Sequence, residues 1–218
     1  VVILLIVIFA VLGPILSPYS YDQQVRGDEN MTPCLAHPFG TDRLGRDLLV
    51  RCMVGTRISL AVGVVSALIV LVIGSIYGAV SGLVGGKVDI AMMRLVDIVY
   101  SVPEILLIVV FKLVLDDPLN YLVTNVDFFK PLQKIGSGLL AIFIVYGCLY
   151  WVGMARIVRG QVLQLKEMEY VTAARALGAS RRRLIKEHLL PNCIGQLIAT
   201  VMLQIPSAIS TEAFLSFL

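Results

Sequence analysis

Residues Ser59–Val84 read SLAVGVVSALIVLVIGSIYGAVSGLV, without one charged side chain. A bilayer core about 30 Å thick is crossed by roughly 20 apolar residues at about 1.5 Å each, so this run alone is long enough to span it. The composition points the same way. Of 218 residues, 58% are hydrophobic and 15% are charged, where a soluble domain carries about 25% charged residues. Mean hydropathy is +0.88, and a soluble globular domain does not fit these values.

Outward from that run, the same length criterion finds four more candidate spans: Val1–Leu16, about Ala91 to Leu115, Gly138 to about Val158, and about Asn192 to Phe214. The expected fold is therefore an all-α polytopic transmembrane bundle with five spans, one membrane domain over residues 1–218. Val1–Leu16 has no positive region before it and no small-residue cleavage site, so it reads as a helix and not as a signal peptide. Both ends fall inside apolar runs, and the expectation is a longer polypeptide.

Polar segments join the spans. In Ser17–Arg57 the stretch Thr41–Met53 has Asp42 with Arg46 and Arg43 with Asp47 four apart, and Leu44, Leu48 and Leu49 on another face, which predicts a short amphipathic helix. Gly85–Asp89 is a turn, and Asp116–Ser137, with Pro118 and Pro131, is a longer connection outside the membrane. Arg156–Pro191 holds Arg156, Arg159, Lys166, Arg175, Arg181, Arg182, Arg183 and Lys186 against Glu167, Glu169 and Glu187. The positive-inside rule makes this segment cytoplasmic, which puts Ser17–Arg57 outside despite its own five arginines.

Few residue patterns carry chemistry. Cys34, Cys52, Cys148 and Cys193 form no CxxC pair and lie far from His37 and His188, so no metal site is expected. Gly85, Gly86 and Lys87 fail as a phosphate loop, because Ser81 stands at its first glycine and Val88 at its Ser or Thr. Gly74, Gly78, Gly82 and Gly86 recur every four residues and cut a groove into one helical face, to be filled either within the chain or by another subunit. Arg94 and Asp97, three apart, are expected to pair. Glu104 follows Pro103 near the middle of the third span, where a carboxylate costs about 2.5–3.5 kcal/mol unless it faces a polar path or a partner; both readings stay open.

The segment Glu169–Asn192, EYVTAARALGASRRRLIKEHLLPN, is the most informative. Tyr170, Ala173, Ala174 and Leu177 follow helical spacing and make a mostly small apolar face. Gly178 fits a left-handed stop after that helix, Ser180 can cap a second one, and Pro191 ends it. Arg181–Arg183 sit at the positive end of the second helix, where the dipole does not favour them. They serve either an acidic partner or lipid phosphates, or only the topology.

This loop resembles the signature loop of binding-protein-dependent ABC importer permeases: Glu-Ala-Ala, three residues, Gly, nine residues, Ile, any residue, Leu-Pro. Ala173, Ala174, Gly178, Leu190 and Pro191 match, while Thr172 replaces the Glu and His188 the Ile. LSPYSYDQQ, HPFGTDRLGRDLL with GTRISL, GGKVDIAMMRLVDIVYSVPE, ARIVRGQVLQLKE and EAFLSFL are similar to the C-type permease subunit of oligopeptide and dipeptide importers. The likeness covers nearly the whole chain except about Leu115–Gly136.

The resemblance implies a type I ABC importer permease fold of six spans, so that this chain would lack most of an N-terminal tail and a sixth span. It implies a multi-pass protein of the bacterial inner or plasma membrane, surrounded by lipid, that moves oligopeptides or dipeptides inward by alternating access. The implied partners are a homologous second permease, two cytoplasmic ATPases and an extracytoplasmic peptide-binding protein, with no nucleic acid. ATP and Mg would be bound by the partners, and this chain would be no enzyme and hold no cofactor of its own. Residues 17–57 would be the extracytoplasmic loop and 159–191 the cytoplasmic coupling loop, in which Tyr170, Ala173, Ala174, Arg175, Leu177, Gly178, Ala179, Leu190 and Pro191 would meet an ATPase. Apart from the resemblance, the cost of an acid inside a span makes Glu104 the candidate for the substrate path. A nickel-importer permease is the alternative within the family. An intramembrane enzyme, such as a protease, is the alternative outside it, and neither GxSxG, HExxH nor paired intramembrane aspartates are present to support it. A stand-alone channel would leave the signature loop without a purpose.

Overall fold

The computed structural model describes residues 1–126 and 137–217, and of Glu104, Ile105, Ser137, Leu215, Ser216 and Phe217 the backbone alone. The chain divides into two compact units, Val1–Ala61 and Val62–Leu218. Among the described residues the regular structure is helical, with an isolated antiparallel bridge between Thr41 and Asp47.

In the first unit, α1 (Val2–Leu16) is an apolar helix of 15 residues, about 22 Å long at about 1.5 Å per residue and so shorter than a bilayer core. The amphipathic helix expected over Thr41–Met53 is not formed as such: residues 41–47 make a closed turn, and helix begins only at Leu48. The Asp42 carboxylate accepts the N–H groups of Leu44 and Arg46 at 2.8 and 3.0 Å and the Arg46 Nε–H at 2.7 Å. Gly45, at φ +68°, lies so close to the Val25 carbonyl that a Cβ would not fit. Asp47, which the spacing would give to Arg43, accepts the Val50 N–H at 2.8 Å as a helix cap and meets the buried His37 Nδ1 at 2.8 Å. Side-chain bonds to nearby backbone have outcompeted the helix. Burial acts to raise the Asp42 carboxyl, but the N–H groups of Arg46 and Leu44 and the Arg46 guanidinium outweigh it and hold the pKa at about 2.

α2 (Leu48–Val84) continues from the first unit into the second. A turn at Gly85 and Gly86, φ +67° and +57°, leads into α3 (Gly86–Ser101), and α4 is Glu104–Asn125. α5 (Ser137–Val145) passes through a π-helical turn, Tyr146–Tyr150, into α6 (Trp151–Leu165). α7 (Glu169–Ala176) and the short α8 (Arg181–Arg183) precede a second π-helical stretch, Leu184–Leu189, that runs into α9 (Leu190–Phe217). Val158 and Val162 of α6, Val171 of α7, and Leu184, Leu189 and Cys193 beyond it are buried in one core.

Three helical stretches, Leu48–Val84, Gly138–Leu165 and Arg181–Phe214, are long and apolar enough to cross a membrane, and a bent pair, Gly86–Ser101 with Leu106–Asn125, makes a fourth if counted as one span. The third apolar run is thus broken, its two parts meeting at 89°. Val102 is extended, φ −88° and ψ 136°, because the ring of Pro103 disfavours helical backbone in the residue before it. The connection expected over Asp116–Ser137 is helical as far as Asn125, and residues 127–136 lie outside the described ones. Nor does Pro191 end a helix, since α9 begins at Leu190 directly after the π-helical stretch. The wider turn relieves the clash of a proline ring with the carbonyl four residues earlier.

Candidate functional site

α7 follows α6 after Lys166, Glu167 and Met168. Val171 is fully buried, and Ala174 and Ala179 pack against the same core, whereas Tyr170, Ala173, Arg175 and Leu177 face outward. Leu177 is 89% exposed and Tyr170 41%, both large and apolar. The expected stripe is therefore divided: Ala174 stands about 40° around the helix from Tyr170, toward Val171, and joins the inner face. The helix ends in a paired closure, the Ala179 N–H bonding the Ala174 carbonyl and the Gly178 N–H the Arg175 carbonyl, each at 3.0 Å. Gly178 sits at φ +85° in open space, so only its backbone conformation calls for glycine. Ser180 Oγ accepts the Arg183 N–H at 3.3 Å and caps the next helix, while Arg183 reaches Glu187 at 2.8 Å. Leu190 packs into the core and Pro191 is exposed. The His188 ring lies 6.5 Å from that of Tyr170.

Beside this loop, α6 is held on two sides. Gly74, Gly78 and Gly82 of α2 face it so closely that a Cβ at Gly74 would lie 2.5 Å from Met154 Cβ, one at Gly82 2.9 Å from Val162 Cγ1, and one at Gly78 against the Ala155 carbonyl. The groove is filled from within the chain. Gly86 is not part of it: nothing lies within 4 Å of its Cβ position, and it serves the turn. On the other side, Arg159 grips Asp89 of α3 through Nε and Nη2 at 2.5 and 2.6 Å, and Ser81 Oγ donates to the same carboxylate at 2.5 Å. Arg156 bonds Asp97 at 2.8 Å and lies 4.4 Å over the Tyr100 ring. The pairing of Arg94 with Asp97 is replaced by this contact, since Arg156 brings its guanidinium to Asp97 from a neighbouring helix.

Where α3 breaks, a cavity of about 500 Å³ opens. Val99–Pro103 line it together with Leu149, Tyr150, Val152, Gly153, Gln204 and Ser207.

Residues 71–218 match the family model of the binding-protein-dependent transport system inner membrane component, and residues 1–35 match the N-terminal TM domain of oligopeptide transport permease C. The chain belongs to the family of binding-protein-dependent transport system inner membrane components. It is 42% identical over 217 residues to the dipeptide transport system permease protein of Bacillus subtilis, covering 100% of this chain and 62% of that protein. To the oligopeptide transport system permease protein of B. subtilis it is 42% identical over 218 residues, 100% of this chain and 65% of the relative. The Haemophilus influenzae oligopeptide permease protein is 40% identical over 220 residues, with 100% and 64% covered. The chain thus spans a little under two thirds of the length of these relatives.

Membership makes this inner membrane component a multi-pass helical membrane protein of a transport family, and not a member of an enzyme family. Of the residues singled out from sequence, Tyr170, Ala173, Arg175, Leu177, Gly178 and Pro191 are exposed, while Ala174, Ala179 and Leu190 pack against the core. The side chain of Glu104 lies outside the described residues. Sequence reasoning missed Asp89, and the cavity residues Tyr150, Gln204 and Ser207. The proline at 103 was the one available signal for a break there.

Proposed function

We propose that this chain is the transmembrane subunit of an ATP-driven importer that brings oligopeptides or dipeptides into the cell by alternating access. Its partners are a homologous second permease, two cytoplasmic ATPases that bind ATP and Mg, and an extracytoplasmic peptide-binding protein. Residues 159–191 form the cytoplasmic coupling loop and 17–57 the extracytoplasmic one. The observation that carries the reading is the short helix α7, with its outward Tyr170, Ala173 and Leu177, anchored by Val171 and stopped at Gly178. An exposed apolar face on a rigidly seated helix is suited to close docking, where buried area transmits force without directional bonds. The peptide substrate is supported by relatives whose names are dipeptide and oligopeptide transport permeases. Glu104, at the start of α4, is assigned to the path and to the substrate's amino terminus.

The test is reconstitution of the complete complex in proteoliposomes, with uptake of a labelled tripeptide and of nickel measured with and without ATP. ATP-dependent peptide uptake that disappears when this chain is omitted is expected. Nickel uptake without peptide uptake would redirect the assignment to the nickel branch, and ATP-independent flux of either would reject the importer.

A further inference from the structure

The cavity at the α3 break has features of a binding site that the coupling loop does not explain. Its volume, about 500 Å³, is within the range of about 300–1,000 Å³ usual for small-ligand sites. Its described lining is uncharged and mixed. Val99, Val102, Leu149 and Val152 are apolar, while Tyr100, Gln204 and Ser207 carry groups that both donate and accept; Ser101 Oγ donates to the Ile98 carbonyl at 2.7 Å and keeps its lone pairs to accept, and Tyr150 Oη lies 3.3 Å from Thr211 Oγ1. Gly153 is exposed, with nothing within 4 Å of its Cβ position, so the backbone there is open to close approach. A helix that stops at Ser101 has no following helical turn to take up its last carbonyls; Ser101 Oγ meets the one at Ile98, and Pro103 has no N–H to give the others.

On α3 and α6 the nearest described charges compensate one another. Asp97 lies one turn before Ser101 and Arg156 one turn after Val152, and the two are bonded at 2.8 Å with Tyr100 beneath the guanidinium. A paired carboxylate and guanidinium give no preference for a ligand of either sign. A ligand that matches such a lining carries N–H and C=O groups in alternation and small apolar side chains of no fixed charge.

We propose that this cavity is a site for the backbone of an extended peptide, held through its amide groups by Gln204, Ser207, Ser101 and Tyr150 and indifferent to side-chain charge. The assignment rests on the peptide-importer reading above. Binding through the backbone admits many sequences of similar length, which an importer of mixed peptides requires.

The experiment uses the complete complex with Cys34, Cys52 and Cys148, which are exposed, replaced by serine; Cys193 is buried. Ser207→Cys is treated with a membrane-impermeant methanethiosulfonate in the presence of trialanine, or of tripeptides carrying one lysine or one glutamate. Labelling is expected, slowed at least about threefold by each peptide alike. Gln204→Leu should lower ATP-driven uptake of all three about fivefold, the loss of roughly one neutral hydrogen bond. The isosteric Gln204→Glu should separate them, favouring the lysine peptide. Normal uptake with labelling that no peptide slows would overturn the site and leave the importer intact, as would unchanged uptake in Gln204→Leu. Protection by only one of the charged peptides would overturn the backbone mode. Absence of uptake of any peptide by the unmodified complex would overturn both readings.

Discussion

The two sides of α6 are held by opposite means. Against α2 the contact is steric: three glycines let backbones approach, and Met154, Val158 and Val162 fill the steps. Against α3 it is ionic and aromatic, through Asp89 with Arg159, Asp97 with Arg156, and the Arg156 guanidinium 4.4 Å over the Tyr100 ring. Between helices in lipid, apolar surface has no water to escape from, so adhesion comes from close packing and from polar bonds. Close packing has one good register and resists sliding. Ion pairs can exchange partners when a neighbour or water arrives. α6 leads directly to α7, so its glycine side is suited to hold and its charged side to release.

The largest effect expected on this comparison is Gly78→Val. Its side chain would meet the Ala155 carbonyl and, at 3.0 Å, the Arg159 backbone nitrogen, atoms that cannot rotate away. Forcing the helices apart costs about 3 kcal/mol, and detergent-solubilised protein should lose its monodisperse peak or unfold at clearly lower temperature. Survival of Gly78→Val with normal stability would erase the distinction between the sides. Asp89→Asn comes next. It leaves a partly covered Arg159 without its carboxylate, at about 2 kcal/mol, below the usual cost for a fully buried pair because the Arg159 side chain is 32% exposed. Thermal unfolding in detergent should show this, with Asp89→Glu recovering only part.

Asp97→Asn should cost under about 1 kcal/mol, since the Asp97 and Arg156 side chains are 57% and 39% exposed. A loss equal to that of Asp89→Asn would show that burial does not grade the charged side. The smallest effect is a control outside the helices, the Asp42 turn. Its depressed pKa means that the turn gains from ionisation above the ordinary carboxylate range and loses that gain as pH falls through about 2. A ¹³C NMR titration of the Asp42 carboxyl should place its midpoint near 2, and a midpoint near 4 would show that the N–H groups of Leu44 and Arg46 are not held against it.

What could be read from sequence follows how far apart the interacting residues are. The Gly178 closure, the Ser180 cap and the α2 groove each depend on neighbours within a few residues or on one helical period. Asp97 meets Arg156 from 59 residues away and Asp89 meets Arg159 from 70; the sequence offers Asp97 a nearer partner in Arg94 and gives no local sign of the partner of Asp89. Thr41–Met53 fails for another reason: i,i+4 charges fit a helix, yet one of them, Asp42 with Arg46, also forms inside a turn that Gly45 permits. Hydropathy makes the apolar run over Pro103 one span, because it does not register how the proline ring restricts Val102.

The claim on which the functional reading most depends is that energy enters through the outer face of α7. Tyr170→Asp with Leu177→Asp charges that face without touching Val171 or Ala174. The measurement is ATP hydrolysis by the complete complex, with and without peptide-loaded binding protein, beside peptide uptake. The expected result is loss of the peptide-stimulated part of hydrolysis and at least about tenfold slower uptake, with this chain still folded and inserted. Unchanged stimulation and uptake would contradict the role of α7 in coupling.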